Sequence, residues 1–181
     1  EEERPPRPLA PSAPQDDDPP EPPPGPALRA AARRGQVLHQ LFERIGGVAP
    51  ENREAAMRAW LRRNAPDQDA DAVAAEIAGA LADPALAPWF AGEAYAEAPL
   101  SAVVEDVVIT GTIDRLVVGE DVVRALDFKT GRQPPQDLAG VPPQHLRQMR
   151  AYRDALARIF PGRRVETALF YTAALRLIRV D

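Results

Sequence analysis

At 181 residues the chain has length for one domain with a sizeable core plus a tail; its 45% apolar and 27% charged residues are those of a globular protein, and 21 prolines are an excess. It has no cysteine, which rules out disulfides, thiolate zinc sites, iron–sulfur clusters and cysteine nucleophiles, and leaves oxygen and imidazole as metal donors. The net charge of −5 is carried by residues 1 to 27, where seven acids (Glu1, Glu2, Glu3, Asp16, Asp17, Asp18, Glu21) face two bases (Arg4, Arg7); the rest of the chain is neutral, so overall charge neither supports nor excludes a nucleic-acid partner.

Residues 1–26, EEERPPRPLAPSAPQDDDPPEPPPGP, hold 11 of the 21 prolines and almost nothing to bury. They are expected to form an extended, disordered linker. A start at Glu1 rather than Met is expected of a piece cut from a longer protein. From Ala27 the pattern turns helical, with Leu38, Leu41, Phe42 and Ile45 on one face and a stop at Gly46-Gly47. Two Ala-rich helices follow, over ENREAAMRAWLRRN and QDADAVAAEIAGALAD, separated by a turn at Pro66, and a short helical piece is expected from Pro84 to Ala91.

Near Pro99 the period changes to that of strands, and the Val, Ile and Thr of the next thirty or so residues predict two or three antiparallel strands with a turn at Gly119-Glu120-Asp121. A loop, a helix over 142–160 stopped by Pro161-Gly162, and two closing strands, VETALFYT and LRLIRV, complete the order. The reading is an α/β fold with a central mixed β-sheet flanked by helices, a helical part over 27–98 and a sheet core over 99–181. No apolar run approaches the ~20 residues of a membrane helix, and no signal segment opens the chain, so a soluble protein of the cytoplasm with no membrane partner is expected.

Within the hairpin one residue stands out: Lys129, in RALDFKTGRQ, is the sole lysine among 22 basic residues. A turn centred near Glu120 makes Asp114 and Asp127 cross-strand neighbours, close enough for both carboxylates to reach one cation. Asp127 and Lys129, two apart on a strand, share a face. Such a face on strands of Val, Ile and Leu is costly unless compensated; a divalent ion with oxygen ligands and open positions suits it, Mg²⁺ or Mn²⁺ rather than zinc. A surface ion pair beside a turn is the plainer alternative.

The stretches GTIDRLVV and VVRALDFKTG resemble the motifs of the PD-(D/E)XK nuclease superfamily, in its RecB-like branch as found at the C-terminal end of the AddA helicase–nuclease subunit. The resemblance implies a restriction-endonuclease-like core. It gives Asp114 as the first acid and Asp127-Phe128-Lys129 as the D-x-K triplet. It also gives Gln148 and Tyr152 as a helical Q-x-x-x-Y pair, and His39 on the first helix as a metal ligand beside Asp114, Asp127 and the Phe128 carbonyl. Ile113 stands where the superfamily's proline precedes the first acid. Glu97 is a further candidate near the metal, and Arg147, Arg150 and Thr130 are candidate DNA contacts; Arg153 and Arg158 share the helix of the first two. The activity implied is Mg²⁺- or Mn²⁺-dependent hydrolysis of DNA phosphodiesters, of exonuclease type, in double-strand break repair and recombination. The partners implied are DNA, an AddB-like subunit and the remainder of a helicase polypeptide, with the protein on the nucleoid when bound to DNA. A Walker loop needs Gly-Lys, and the sole lysine follows Phe128, so any motor lies elsewhere. The rival readings are an inert DNA-binding or assembly module of the same fold and a free-standing exonuclease.

Overall fold

The computed structural model describes residues 25–130 and 134–180. The linker expected over residues 1–26 lies outside them, save for Gly25 and Pro26. Pro26 is already helical: α1 spans Pro26–Ile45, and proline suits a first helical position because its missing N–H would have no partner there. Val37, Leu38, Leu41, Phe42 and Ile45 are buried at spacings of three and four, as the stripe predicted. Helix α2 (Arg53–Asn64) and helix α3 (Ala70–Ala82) follow. The second is capped by Asp69, whose carboxylate accepts from the N–H groups of Asp71 and Ala72. The helical piece expected over 84–91 shrinks to one 3₁₀ turn, Ala87–Trp89.

The sheet begins earlier than Pro99. Strand β1 runs Ala94–Val104, β2 Val107–Val118 and β3 Val122–Lys129. Pro99 sits within β1 because β1 is an edge strand, where a missing N–H leaves no neighbour unpaired. Helix α4 spans Pro143–Ile159, and β4 (Arg164–Tyr171) and β5 (Arg176–Arg179) end the described chain. The five strands lie in the order β1-β2-β3-β4-β5, with β3 and β4 parallel and every other pair antiparallel. A parallel pair needs a crossover, and α4 supplies it.

Alternation along β3 and β4 sends side chains to two cores. On one face Leu126, Phe128, Ala168 and Phe170 pack with the buried residues of α1, α2 and α3. On the other, Val123, Ala125, Leu169 and Tyr171 pack against Met149, Tyr152, Ala155 and Leu156 of α4. The result is a restriction-endonuclease-like three-layer arrangement of helices, mixed sheet and helix. Among the described residues no helix is long and apolar enough to cross a membrane.

Candidate active site

The site lies where β2 and β3 part. Their ladder pairs Val118 with Val123 through to Arg115 with Leu126. One further step sets Asp114 against Asp127, but there the backbones separate and a side chain takes over: Asp114 Oδ2 accepts from the Phe128 N–H at 2.6 Å. The first acid is therefore bonded to the backbone of the D-x-K triplet. Phe128 turns to the opposite face, within 6.4 Å, centroid to centroid, of Phe42, Phe90 and Phe170. That aromatic cluster anchors the middle of the triplet, so Asp127 and Lys129 emerge together on the α4 side.

Helix α4 meets them with Gln148 and Tyr152. Lys129 Nζ lies 2.7 Å from Asp127 Oδ2 and donates to Gln148 Oε1 at 3.0 Å. Gln148 Nε2 donates to Asp127 Oδ1 at 2.9 Å and to the Tyr152 hydroxyl at 3.2 Å, and that hydroxyl donates to the Thr112 carbonyl at 2.8 Å. A single chain of bonds thus joins α4, β3 and the start of the motif on β2. The four-residue spacing of Gln148 and Tyr152 is what puts both on one helical face. Gly111 serves this chain through space: a Cβ there would lie 3.0 Å from Tyr152 Cε1 and 3.2 Å from its hydroxyl oxygen.

Electrostatically the acid pair is short of positive charge. Burial, and next the Asp127 charge, push the Asp114 carboxyl up to about 7 from the ordinary 3.8, against the Phe128 N–H and Lys129, which pull it down. A cation between the two carboxylates would relieve both, so the residues present fit an oxygen-ligated divalent ion with open positions. The wider donor set is not gathered. Among the described residues no three His, Asp or Glu side chains stand close enough to hold one ion. His39 packs edge-on to Phe128 at 5.5 Å, but its Nε2 is taken by Glu43 at 2.9 Å, one helical turn on, while its Nδ1 is buried without a partner among the described residues.

The weaker candidates spread out. Glu97 is exposed, with its backbone at φ 49°, and interrupts the β1–β2 ladder between the Ala96–Arg115 and Ala98–Ile113 pairs, opposite Asp114. Thr130, Arg147 and Arg150 are exposed around the same end of the sheet and on α4. Glu105 and Asp106, both at positive φ, make the β1–β2 turn. Three residues escaped the sequence reading as parts of the site. Glu43 adds its charge to that felt by Asp114, and its spacing of four from His39 was a usable signal. Tyr171 pairs in register with Lys129 across the parallel β3–β4 contact; nothing local marks it. His145, on the first turn of α4, feels the charges of both Lys129 and Asp127.

Comparison with protein-family models matches residues 15–180 to the PD-(D/E)XK nuclease superfamily. The chain belongs to that superfamily. The match takes in the five strands and four α-helices of the described residues, together with part of the proline-rich segment. Members of the PD-(D/E)XK superfamily are in general hydrolytic nucleases that typically use divalent metals. No curated protein matches the chain in sequence.

Proposed function

We propose that this domain hydrolyses DNA phosphodiester bonds with Mg²⁺, or Mn²⁺ in its place, in the manner of an exonuclease. The observation that carries the reading is the set of bonds around the D-x-K triplet: Asp114 accepts from the Phe128 N–H, and Asp127 is bonded to Gln148 and in ionic contact with the only lysine of the chain. Asp114, Asp127 and the Phe128 carbonyl would hold the ion. His39 would join once its Nε2 leaves Glu43. When bound there, such an ion would supply positive charge to polarise the phosphate and to acidify the attacking water.

The chain's own residues do the rest. Lys129 presents a compact ammonium to the attacking water and to the charge that grows on the phosphate oxygens. Gln148, itself bonded to Tyr152, ties that ammonium and Asp127 to α4 before an ion binds. A P–O bond forms to the water oxygen and the P–O ester bond breaks. The water gives up its proton and the departing alkoxide takes one, leaving a phosphate monoester and an alcohol. Exposed Arg147 and Arg150, with Thr130, would contact the DNA backbone, where cations contribute affinity without sequence choice.

The motif order supports a place in the RecB-like branch, as the nuclease part of an AddA-like polypeptide that works with an AddB-like subunit on DNA ends in double-strand break repair and recombination. Helicase action would then belong to other parts of that polypeptide, joined through the proline-rich segment, and the working protein would be cytoplasmic and at the nucleoid. The test is cleavage of linear single- and double-stranded DNA by the 181-residue chain with Mg²⁺ and with EDTA, beside Asp127→Ala and Lys129→Ala. Cleavage that needs the ion and is lost in both variants is expected. Equal cleavage by all three proteins, or binding without cleavage by any, would reject the catalytic reading, the second outcome in favour of an assembly module.

A further inference from the structure

Two buried polar atoms flank the site with nothing to bond among the described residues. The Tyr171 hydroxyl and His145 Nδ1 are both sealed from solvent, and neither has a hydrogen-bond partner among those residues. Tyr171 is 3% exposed and sits beside Lys129 in the parallel β3–β4 register, so its side chain rises from the same face as those of Lys129 and Asp127. His145 reaches the same neighbourhood from α4. Its imidazole is disfavoured as a cation by burial and by the Lys129 charge, which leaves a neutral ring with one nitrogen able to accept a hydrogen bond.

Lys129 itself is held in a way that conflicts with a metal. Its ammonium has three N–H donors; one meets Asp127 Oδ2 at 2.7 Å and another Gln148 Oε1 at 3.0 Å. An Asp127 oxygen that ligates a cation is in competition with the ammonium now against it. Two like charges cannot share one carboxylate oxygen without cost, so Lys129 has to turn elsewhere when an ion arrives. The orphaned hydroxyl belongs to Tyr171, its register neighbour on β4, and the orphaned imidazole nitrogen to His145, which feels the charges of Lys129 and Asp127.

We propose that the Tyr171 hydroxyl and His145 Nδ1 form a second seat for the Lys129 ammonium, occupied when a divalent ion takes Asp127. The hand-over satisfies both orphaned atoms, frees the carboxylate and keeps the lysine beside the phosphate. Tyr171 and His145 are thereby positioning residues that act through Lys129. The inference rests on the reading of Asp114 and Asp127 as metal ligands, and it makes the metal-free ion pair a latch.

The experiment is Mn²⁺ titration of the 181-residue chain by calorimetry without DNA, repeated for Tyr171→Phe, Lys129→Ala and the double variant, with thermal midpoints for each. Tyr171→Phe deletes one oxygen and is expected to leave the metal-free midpoint unchanged or higher, since that oxygen bonds to nothing. It is expected to weaken Mn²⁺ binding by about tenfold, the equivalent of one hydrogen bond to a charged group. Lys129→Ala removes the competitor and should bind Mn²⁺ at least as tightly as wild type. In the Lys129→Ala background the Tyr171 change should have no effect. An equal loss from Tyr171→Phe with and without Lys129, or no loss in either, overturns the second seat while leaving the metal site standing. If wild type binds no Mn²⁺, or Asp127→Ala binds it as well as wild type does, the metal reading itself fails and the second seat falls with it.

Discussion

Replacing Asp114 with Asn tests the electrostatics of the acid pair most directly. Asn keeps the size of the side chain and an oxygen for the Phe128 N–H, and removes only the charge. In the unfolded chain Asp114 holds its proton below its ordinary value of 3.8, whereas in the folded protein it holds it up to about 7. Between those pH values the folded state binds more protons than the unfolded, so this group makes stability fall as pH rises. The slope approaches ~1.4 kcal/mol per pH unit, and the full cost above pH 7 is on the order of 4 kcal/mol. His145, whose pKa is depressed by burial, works in the opposite direction; it is present in both proteins and cancels in their difference. Urea denaturation in EDTA from pH 4 to 8 is expected to show Asp114→Asn level with wild type at the acid end and more stable by an amount of that order at pH 7.5. Saturating Mn²⁺ should remove the gap by stabilising wild type alone. Parallel stability curves for the two proteins in EDTA would refute the argument, because they would mean that Asp114 is ionised without penalty.

Gly111→Ala drives a methyl group against a Tyr152 ring that is fully buried and bonded to Thr112, a steric cost of about 1–3 kcal/mol. It is expected to lower the denaturation midpoint, and by shifting Tyr152 to cut DNA cleavage by ~100-fold; unchanged cleavage would show that the Gln148–Tyr152 link is dispensable. Gly46→Ala places Cβ 1.8 Å from Arg115 Nη1. That guanidinium has little freedom to move: it is 3% exposed, bonded through Nε to the Trp89 carbonyl at 2.8 Å and stacked over Phe90 at 4.9 Å. A loss of about 3 kcal/mol or more is expected by equilibrium denaturation, with Arg115→Met recovering much of it in the double variant because the guanidinium, whose pKa burial and then Arg53 lower to about 10, is gone. The absence of any recovery would mean that the glycine is needed for something other than room.

The order of elements, the mixed character of the sheet and the closeness of Asp114, Asp127 and Lys129 were legible in the sequence because each rests on short-range periodicity, whereas Gln148 and Tyr152 were singled out by the resemblance, their spacing accounting only for the shared helical face. Side chains two apart share a strand face, those four apart share a helical face, and a turn near Glu120 brings its flanks together. Element boundaries were less legible. The change of period falls near Pro99, and only the position of β1 at an edge explains how a strand runs through it from Ala94. His39 illustrates a different limit within the site: its place on α1 matched a motif, but its Nε2 is engaged by Glu43 one helical turn on, a contact that the four-residue spacing permits and that the motif does not include.

What the sequence determined by itself was therefore the chemistry available: one lysine, two acids across a turn, no thiol, and strands apolar enough that those charges had to be answered. What only the tertiary structure decided was how they are answered. The separation of β2 from β3 makes Asp114 a cap for Phe128. The crossing of α4 gives Lys129 its amide partner. The parallel pairing of β3 with β4 puts Tyr171, forty-two residues away in sequence, beside the lysine. These are long-range contacts among packed layers, and no local pattern encodes them.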